Sequence, residues 1–226
     1  MNTTTLNPPH GARTGLRPAA LALGLSVLMA GCTLLPDREA PRVMDLPVPQ
    51  LENRAGAALG LTLQVDTPHA TEPFGSSRIL ARPEPLEYKV YGGVRWRDTG
   101  PTLVRELMIG VLRQGGRFDA VINETSPAGS DLTLVSDLYG FHREPAGQGY
   151  QAVIRLYAQL LDNRSRETLC SRNFRIAAPA FSDTVEDVAM AFSAGGEALA
   201  NLLLPWLEAC ITGANPASET DPARQP

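Results

Sequence analysis

The stretch YQAVIRLYAQLLDNRSRETLCSRNFRIA, residues 150–177, alternates apolar and polar side chains on both sides of a polar turn. A period of two is typical of a strand that is buried on one face. In the first half, Ala152, Ile154, Leu156, Ala158 and Leu160 point one way, whereas Gln151, Arg155 and Gln159 point the other. The polar turn Asp162–Ser165 then predicts an antiparallel partner strand from Glu167 to Ala177.

Three further segments show the same alternation and predict additional strands. They are Leu61–Val65, Leu86–Tyr91 and Leu132–Phe141. Because several of these strands follow one another as hairpins, we expect mainly antiparallel pairing. A shorter apolar run, Arg42–Leu46, is a candidate short strand.

Two apolar stripes at helical spacing predict two helices. The first follows Pro101, which suits the first helical turn, and ends at Gly115-Gly116. The second begins at Asp183, with Glu186 three residues later in the spacing of a capping box. Each helix has one apolar face that needs a sheet to cover it. The order of elements therefore predicts an α+β fold, with both amphipathic helices packed on one face of a mainly antiparallel sheet.

The N-terminal part of the chain has the features of an export signal. Arg13 and Arg17 precede an apolar run of about a dozen residues, which is shorter than the ~20 residues of a spanning helix. Leu28–Cys32, LMAGC, resembles a bacterial lipobox. That resemblance implies a signal peptide over residues 1–31, cleavage between Gly31 and Cys32, and a diacylglycerol and an N-acyl chain on Cys32. The alternatives are a buried cysteine after an ordinary signal peptide, or an N-terminal helix.

The remaining chain divides into three segments. Residues 32–60 are rich in proline and predict a lipidated N-terminus with a flexible tether that includes the candidate short strand. Residues 61–212 predict the folded domain, and residues 213–226 predict a disordered tail. Thr33 follows the lipidated cysteine, and by resemblance to Gram-negative lipoproteins the absence of Asp there favours the outer membrane.

Charge and cysteine content narrow the classes of function. The 226-residue chain has a formal charge of −4, and removal of residues 1–31 leaves 18 basic against 24 acidic side chains. This balance argues against nucleic-acid binding, which normally requires a basic excess. After export, Cys170 and Cys210 would lie in an oxidising compartment, and both fall on core-facing positions of their elements. We expect them to form a disulfide; the alternative is two separate buried thiols.

The second face of the predicted sheet is less polar than a solvated face usually is. Val135, Tyr139 and Phe141 share this face on one strand, and Val153 and Tyr157 share it on the next. An exposed patch of this kind often marks a contact with a partner protein. The alternative is that another segment, such as residues 42–60, covers it.

A search for catalytic or metal-binding patterns favours a protein without enzymatic activity. His69 and His142 have no His, Cys or clustered acid at ligand spacing, so we expect no zinc site and two solvated histidines. The nucleophile-elbow, P-loop and dinucleotide-binding patterns do not occur in the sequence. A hydrolytic site assembled from distant residues, with His69 or His142, stays open as an alternative.

The ordered set of motifs resembles the ABC-type transport auxiliary lipoproteins, a family that includes the paraquat-inducible protein C-like lipoproteins. The resemblance extends from Cys32 to about Ile211. It is carried by the lipobox, by the segment RILARPEPLEYKVYGGVRWRDTGPTLVRELMIGVLRQGGRFDAV (Arg78–Val121), by YQAVIRLYAQL and by LLPWLEA near the end of the second helix.

The resemblance implies a non-catalytic role in lipid transport across the periplasm. By this resemblance, the protein would be an outer-membrane-anchored partner of an MCE-domain periplasmic protein, which works with an inner-membrane ABC permease and ATPase. It leaves cargo, transport direction and oligomeric state open. An envelope-assembly scaffold lipoprotein is the main alternative, and a membrane-anchored hydrolase is a further one.

Overall fold

The computed structural model describes Met1, residues 39–51 and residues 57–213. A compact unit begins at Ala40 and contains all the secondary structure discussed below. The predictions for the signal peptide, Gly31 and Cys32 lie outside the described residues. The same is true of the predicted tail beyond Gly213.

The described part of the chain contains nine strands and two helices. In chain order they are β1 (Arg42–Met44), β2 (Thr62–Val65), β3 (Leu80–Glu84), β4 (Glu87–Val90), β5 (Val94–Trp96), α1 (Gly100–Gln114), β6 (Ala120–Asn123), β7 (Leu132–Ala146), β8 (Gly149–Asp162), β9 (Thr168–Ala180) and α2 (Val185–Thr212). The predicted α+β class is confirmed.

The centre of the molecule is the long antiparallel meander β7–β8–β9. Its register pairs Tyr157 of β8 with Asp137 of β7 and with Asn173 of β9. The alternating residues of β8 place Ile154, Leu156 and Leu160 in the core. Both strands of the hairpin predicted from residues 150–177 are present and extend further than the pattern indicated.

Short strands pair in parallel along the other edge of β7, so the sheet is mixed, although its long strands pair antiparallel as predicted. Strand β2 pairs in parallel with β6 and β7, and β3 pairs in parallel with β7 and antiparallel with β4. A separate parallel pair joins β1 to β5. The physical reason is a crossover: α1 lies between β2 and β6 in the chain, and such a connection places the joined strands parallel.

Both helices pack their apolar stripes into one core that also receives the inner face of the sheet. Leu107 of α1, with Phe192 and Leu199 of α2, is almost completely buried. The helices begin at threonine caps: Thr99 accepts a hydrogen bond from the Thr102 backbone N–H, and Thr184 accepts one from Asp187. The cap of α2 therefore lies one residue later than the predicted Asp183.

Within the described residues, α2 is long and apolar enough by length and composition to cross a membrane. However, 56% of its most apolar window is buried inside the fold. Its buried residues pack against the sheet, where the rings of Trp206 and Phe174 meet edge to face at 5.4 Å. Helix α2 is therefore explained as a core helix of the domain.

Residues 42–51 belong to the folded unit, whereas the sequence placed them in the tether. The side chain of Leu46 is only 3% exposed, and Val48 packs so closely on α1 that a Cβ at Gly110 would lie 2.5 Å from its Cγ1. The backbone N–H of Leu51 donates to the side chain of Gln114, which in turn donates to the Pro49 carbonyl. The candidate strand is β1, and the chain between Cys32 and the fold is correspondingly short.

Candidate functional site

The face of the β7–β9 meander that points away from the helices is partly open to solvent. Tyr139 is 37% exposed on this face, and the side chains of Val135 and Tyr157 are half-buried. Arg155 and Asp137 are exposed beside them. We define these three apolar or aromatic residues, Val135, Tyr139 and Tyr157, as the open sheet face.

A β-bulge presents Tyr139 on the open sheet face. The register between β7 and β8 shifts between Leu138 and Gly140, so Tyr139 has no direct partner on β8. Its hydroxyl donates to Oδ1 of Asn173 on β9, and the Arg155 guanidinium lies 5.5 Å from its ring centre. Gly140 makes room for that arginine, because an added Cβ would lie 2.7 Å from Arg155 Cγ.

The environment of Tyr139 keeps its hydroxyl protonated. Burial raises the pKa of this phenol, and the positive charge of Arg155 opposes the increase without cancelling it. The protonated hydroxyl can therefore donate to Asn173, which holds the ring across β8. The sequence placed Arg155 on this face but did not predict its contact with Tyr139, and it did not identify Asn173, although the alternation of β9 places Asn173 on the same face.

Phe141 is not on the open sheet face, which corrects the prediction. The bulge adds one residue before it, and a shift of one position turns the following side chains to the opposite face. The ring of Phe141 lies 4.4 Å from that of Phe192 and 5.6 Å from that of Trp96, measured between centroids. Phe141 is therefore a core residue beneath α2.

Val153 is also unavailable to a partner, for a different reason. It lies on the predicted face but is only 1% exposed. Its neighbour on β7, His142, packs against the rings of Phe74 and Tyr88, with centroid distances of 6.1 and 5.3 Å. This end of the face is thus covered by the segment around residues 74–88.

His142 is buried, which corrects the prediction that it is solvated. Its Nε2 lies 3.3 Å from Glu144, which also receives hydrogen bonds from Gln151 and Arg175. Burial lowers the pKa of His142 and outweighs the opposing effect of Glu144. Burial alone would raise the pKa of Glu144, but the hydrogen bonds from Gln151 and His142 and the charge of Arg175 bring it below its usual value.

His69 lies elsewhere, in an exposed loop before β3. Its backbone N–H donates to the Ser136 carbonyl, and its carbonyl accepts from the Leu138 N–H, so it extends the sheet at the edge of β7. In the part of the chain that the structure describes, no group of three His, Cys, Asp or Glu side chains could hold a metal ion. His69 and His142 are not brought together at one site.

Cys170 on β9 and Cys210 on α2 are joined by a disulfide in the structure. Their Cα atoms are 5.9 Å apart, and 40 positions separate them in sequence. The bond connects the last turns of α2 to the start of the edge strand, next to the Phe174–Trp206 contact. It is a structural link behind the open sheet face.

An open groove of about 690 Å³ lies at this same end of the sheet. Its lining includes Asp131, Asp162, Asn163 and Arg164 beside the apolar Leu169 and Ile211. Charged side chains of this kind suit water or polar groups better than a hydrocarbon chain. Because Leu61 and Leu132 also line the groove, its mixed polar and apolar character assigns it no class of ligand.

Comparison with known proteins identifies the family. A crystal structure of a DUF330 protein from Xanthomonas campestris superimposes with a TM-score of 0.68 and 29% identity, covering 76% of this chain and 96% of that one. The crystal structure of an uncharacterised protein gives a TM-score of 0.59 at 16% identity over 75% and 99% of the two chains, which shows the shared fold. No curated protein matches the sequence.

The family model described as "ABC-type transport auxiliary lipoprotein component" matches residues 45–203. This range begins just after β1 and includes every later strand and most of α2. It also includes residues 45–60, in agreement with the packing of Leu46 and Val48 on the core. The chain belongs to the family of ABC-type transport auxiliary lipoprotein components.

Proposed function

We propose that the protein is a non-catalytic, lipid-anchored component of an ABC transport system that moves lipid across the periplasm with an MCE-domain protein. The observation that carries this proposal is the family match over residues 45–203, which assigns the domain to a transport auxiliary lipoprotein. The buried position of His142 adds support, because a histidine that is packed between two rings is not accessible to a substrate.

The proposed anchor is a lipidated Cys32. The LMAGC sequence supports cleavage after Gly31, followed by attachment of a diacylglycerol and an N-acyl chain to the new N-terminus. Burial of acyl chains contributes about 0.8 kcal/mol per CH₂, so several chains hold a protein stably where a single chain holds it marginally. We place the anchored protein at the periplasmic face of the outer membrane, because Thr33 follows the cysteine.

The proposed docking site for the MCE-domain partner is the open sheet face. Tyrosine is enriched at protein interfaces because its ring supplies apolar area and its hydroxyl still forms hydrogen bonds. Tyr139 is held by Asn173 and Arg155, so little conformational entropy is lost when a partner covers it. The exposed charges of Arg155, Arg175 and Asp137 surround the two rings as a polar rim.

The test is affinity capture from detergent-solubilised envelopes with a tagged chain. We expect the wild-type protein to recover an MCE-domain protein together with the permease and ATPase. Tyr139→Asp combined with Tyr157→Asp should reduce this recovery at least about tenfold, since central aromatic contacts often contribute 2 kcal/mol or more each. Circular dichroism would check that the variant is folded.

A matched control changes exposed apolar residues on the solvent side of α2. Met190→Glu combined with Leu202→Glu adds the same charge to the same domain, and we expect it to leave the capture unchanged. Equal capture by the tyrosine variant would place the docking site elsewhere. Recovery by the wild-type protein of outer-membrane assembly factors instead of transport subunits would contradict the proposed function.

A further inference from the structure

Two large apolar side chains of the domain are almost completely exposed. Leu86, at the tip of the β3–β4 hairpin, is 99% exposed, and Phe181, directly after β9, is 97% exposed. Neither belongs to the open sheet face. Exposure of this degree leaves the apolar area of both side chains in water, and an apolar surface that covered them would gain the free energy of removing it from water.

The sheet register places Leu86 and Phe181 at the same end of the domain. Ala81 pairs with Arg143, which pairs with Ala152, which pairs with Ala178. These four paired residues form one row across the sheet. Beyond the row, β3 leads to the tip of the β3–β4 hairpin, β7 leads to the β7–β8 turn and β9 leads to Phe181, all in the same direction. Three strand spacings of about 4.8 Å separate β3 from β9, so the two side chains are roughly 14 Å apart across the sheet.

The polypeptide enters the compact unit in the half of the sheet that is nearer to this end. Arg42 donates to Glu186 in the first turn of α2, with an N–O distance of 2.8 Å, and α2 begins only a few residues after Phe181. The backbone of Arg42 is hydrogen-bonded to Gly93, at the start of β5. Ala40 and Pro41 precede this point and are exposed.

The length of the connecting chain restricts how the domain can stand on a membrane. Eight peptide steps separate Cys32 from Ala40, which span at most about 29 Å. The 14-residue strand β8 has a length of about 46 Å. This reach is shorter than the sheet, so an anchor on Cys32 favours contact of the nearer end of the domain with the leaflet over contact of the opposite end, near Leu169.

We infer that the end of the domain that carries Leu86 and Phe181 rests on the leaflet that anchors Cys32, and that both side chains insert into it. This inference rests on the proposed lipid anchor. A lipid surface suits these residues because single side chains on protruding turns need no complementary pocket in hydrocarbon, and phenylalanine is common on membrane-surface segments. Insertion would orient the open sheet face sideways, parallel to the membrane normal, where a periplasmic partner can reach it.

The experiment uses the full lipidated mature chain in vesicles whose phosphatidylethanolamine and phosphatidylglycerol carry brominated acyl chains, which quench tryptophan on contact. Phe181→Trp and Leu86→Trp report on the proposed end. Leu169→Trp is the matched control, because Leu169 is an exposed apolar residue at the opposite end. The native Trp96 and Trp206 are only 1% and 2% exposed. Their emission is measured on the unsubstituted chain and subtracted from that of each variant.

We expect a blue shift and bromine quenching of the added emission for positions 181 and 86, and neither effect for position 169. Met190→Trp tests a sideways orientation in which the outer side of α2 lies on the membrane. Quenching at 190 or 169, or none at 181 and 86, would overturn the inference. Co-flotation of the protein with the vesicles reports on the anchor separately: a chain that floats without quenching refutes only the orientation, whereas a chain that does not float refutes the anchor and the inference together.

Discussion

The disulfide between Cys170 and Cys210 gives a prediction whose magnitude can be calculated. The bond closes a loop with a sequence separation of 40. In the loop-entropy treatment, opening it restores to the unfolded chain an entropy that corresponds to about 4 kcal/mol at room temperature. For a domain of this size, each kcal/mol changes the melting temperature by about 2–4 °C, so we expect a decrease of about 8–16 °C.

The assay is thermal unfolding of the mature chain, followed by circular dichroism with and without reductant. Cys170→Ser, Cys210→Ser and the double variant should all melt at nearly the same lower temperature, because loss of either sulfur opens the bond. The Phe174–Trp206 contact stays in place in each variant, so we expect the native fold to persist at low temperature. The double variant is its own control, since reductant should not change its melting temperature further.

Two results would refute this reasoning. A wild-type protein whose melting temperature falls by less than about 2 °C on reduction would show that the bond does not constrain the unfolded chain as the treatment assumes. Alkylation of both thiols in the native, unreduced protein, detected by mass spectrometry, would show that the bond is not formed.

Two other predictions concern the segment that precedes β2 and the buried histidine. Gly110→Ala should lower the free energy of unfolding by about 1 kcal/mol, because its Cβ would displace Val48. In the double variant, Val48→Ala should make room for that Cβ and recover part of the loss. If urea unfolding shows that the two single effects are strictly additive, the close contact is contradicted. Burial lowers the pKa of His142 below its ordinary 6.5, so the unfolded chain binds more protons there, and stability falls as the pH decreases below 6.5. Between about pH 7 and about pH 5.5, His142→Gln should therefore lose less stability than the wild type. Glu144 has a depressed pKa, so its contribution to stability is present above its ordinary pKa of 4.5 and is lost only at lower pH. If the stability of the wild type and of His142→Gln changed equally between about pH 7 and about pH 5.5, that result would contradict the buried position of His142.

The elements that the sequence predicted best are those with long, regular patterns. The alternation through Ile154 and Leu156 persists over a whole strand, and the stripes of α1 and α2 persist over several turns, so each pattern defines both the element and its buried face. The strands β3, β5 and β6 were missed because each is short and lacks the alternation that revealed β2 and β4, and β3 also contains Pro83. Their pairing depends on tertiary contacts with β1, β2 and β7, which no local pattern encodes.

The sequence predicted part of the candidate site, and each wrong prediction has its own structural cause. The alternation of side chains along each strand placed Tyr139 and Tyr157 on the correct face. That alternation does not continue through a β-bulge, and the bulge after Leu138 turns Phe141 into the core. Val153 was placed on the correct face, yet whether that face is covered depends on the distant Tyr88. The chain before β2 was taken for a tether because its prolines resemble those of a linker, although Leu46 lies in the core and Val48 packs on α1.

The most direct test of the whole account is the intact mass, with peptide sequencing, of the mature protein isolated from its native cell envelope. We predict a chain that begins at Cys32 and is heavier than its amino acids by a diacylglycerol and an acyl chain. The anchor, the reach of the short connecting chain and the orientation of the domain on the leaflet all depend on that result. A mature chain that begins at another residue, or that has only the mass of its amino acids, would contradict the account.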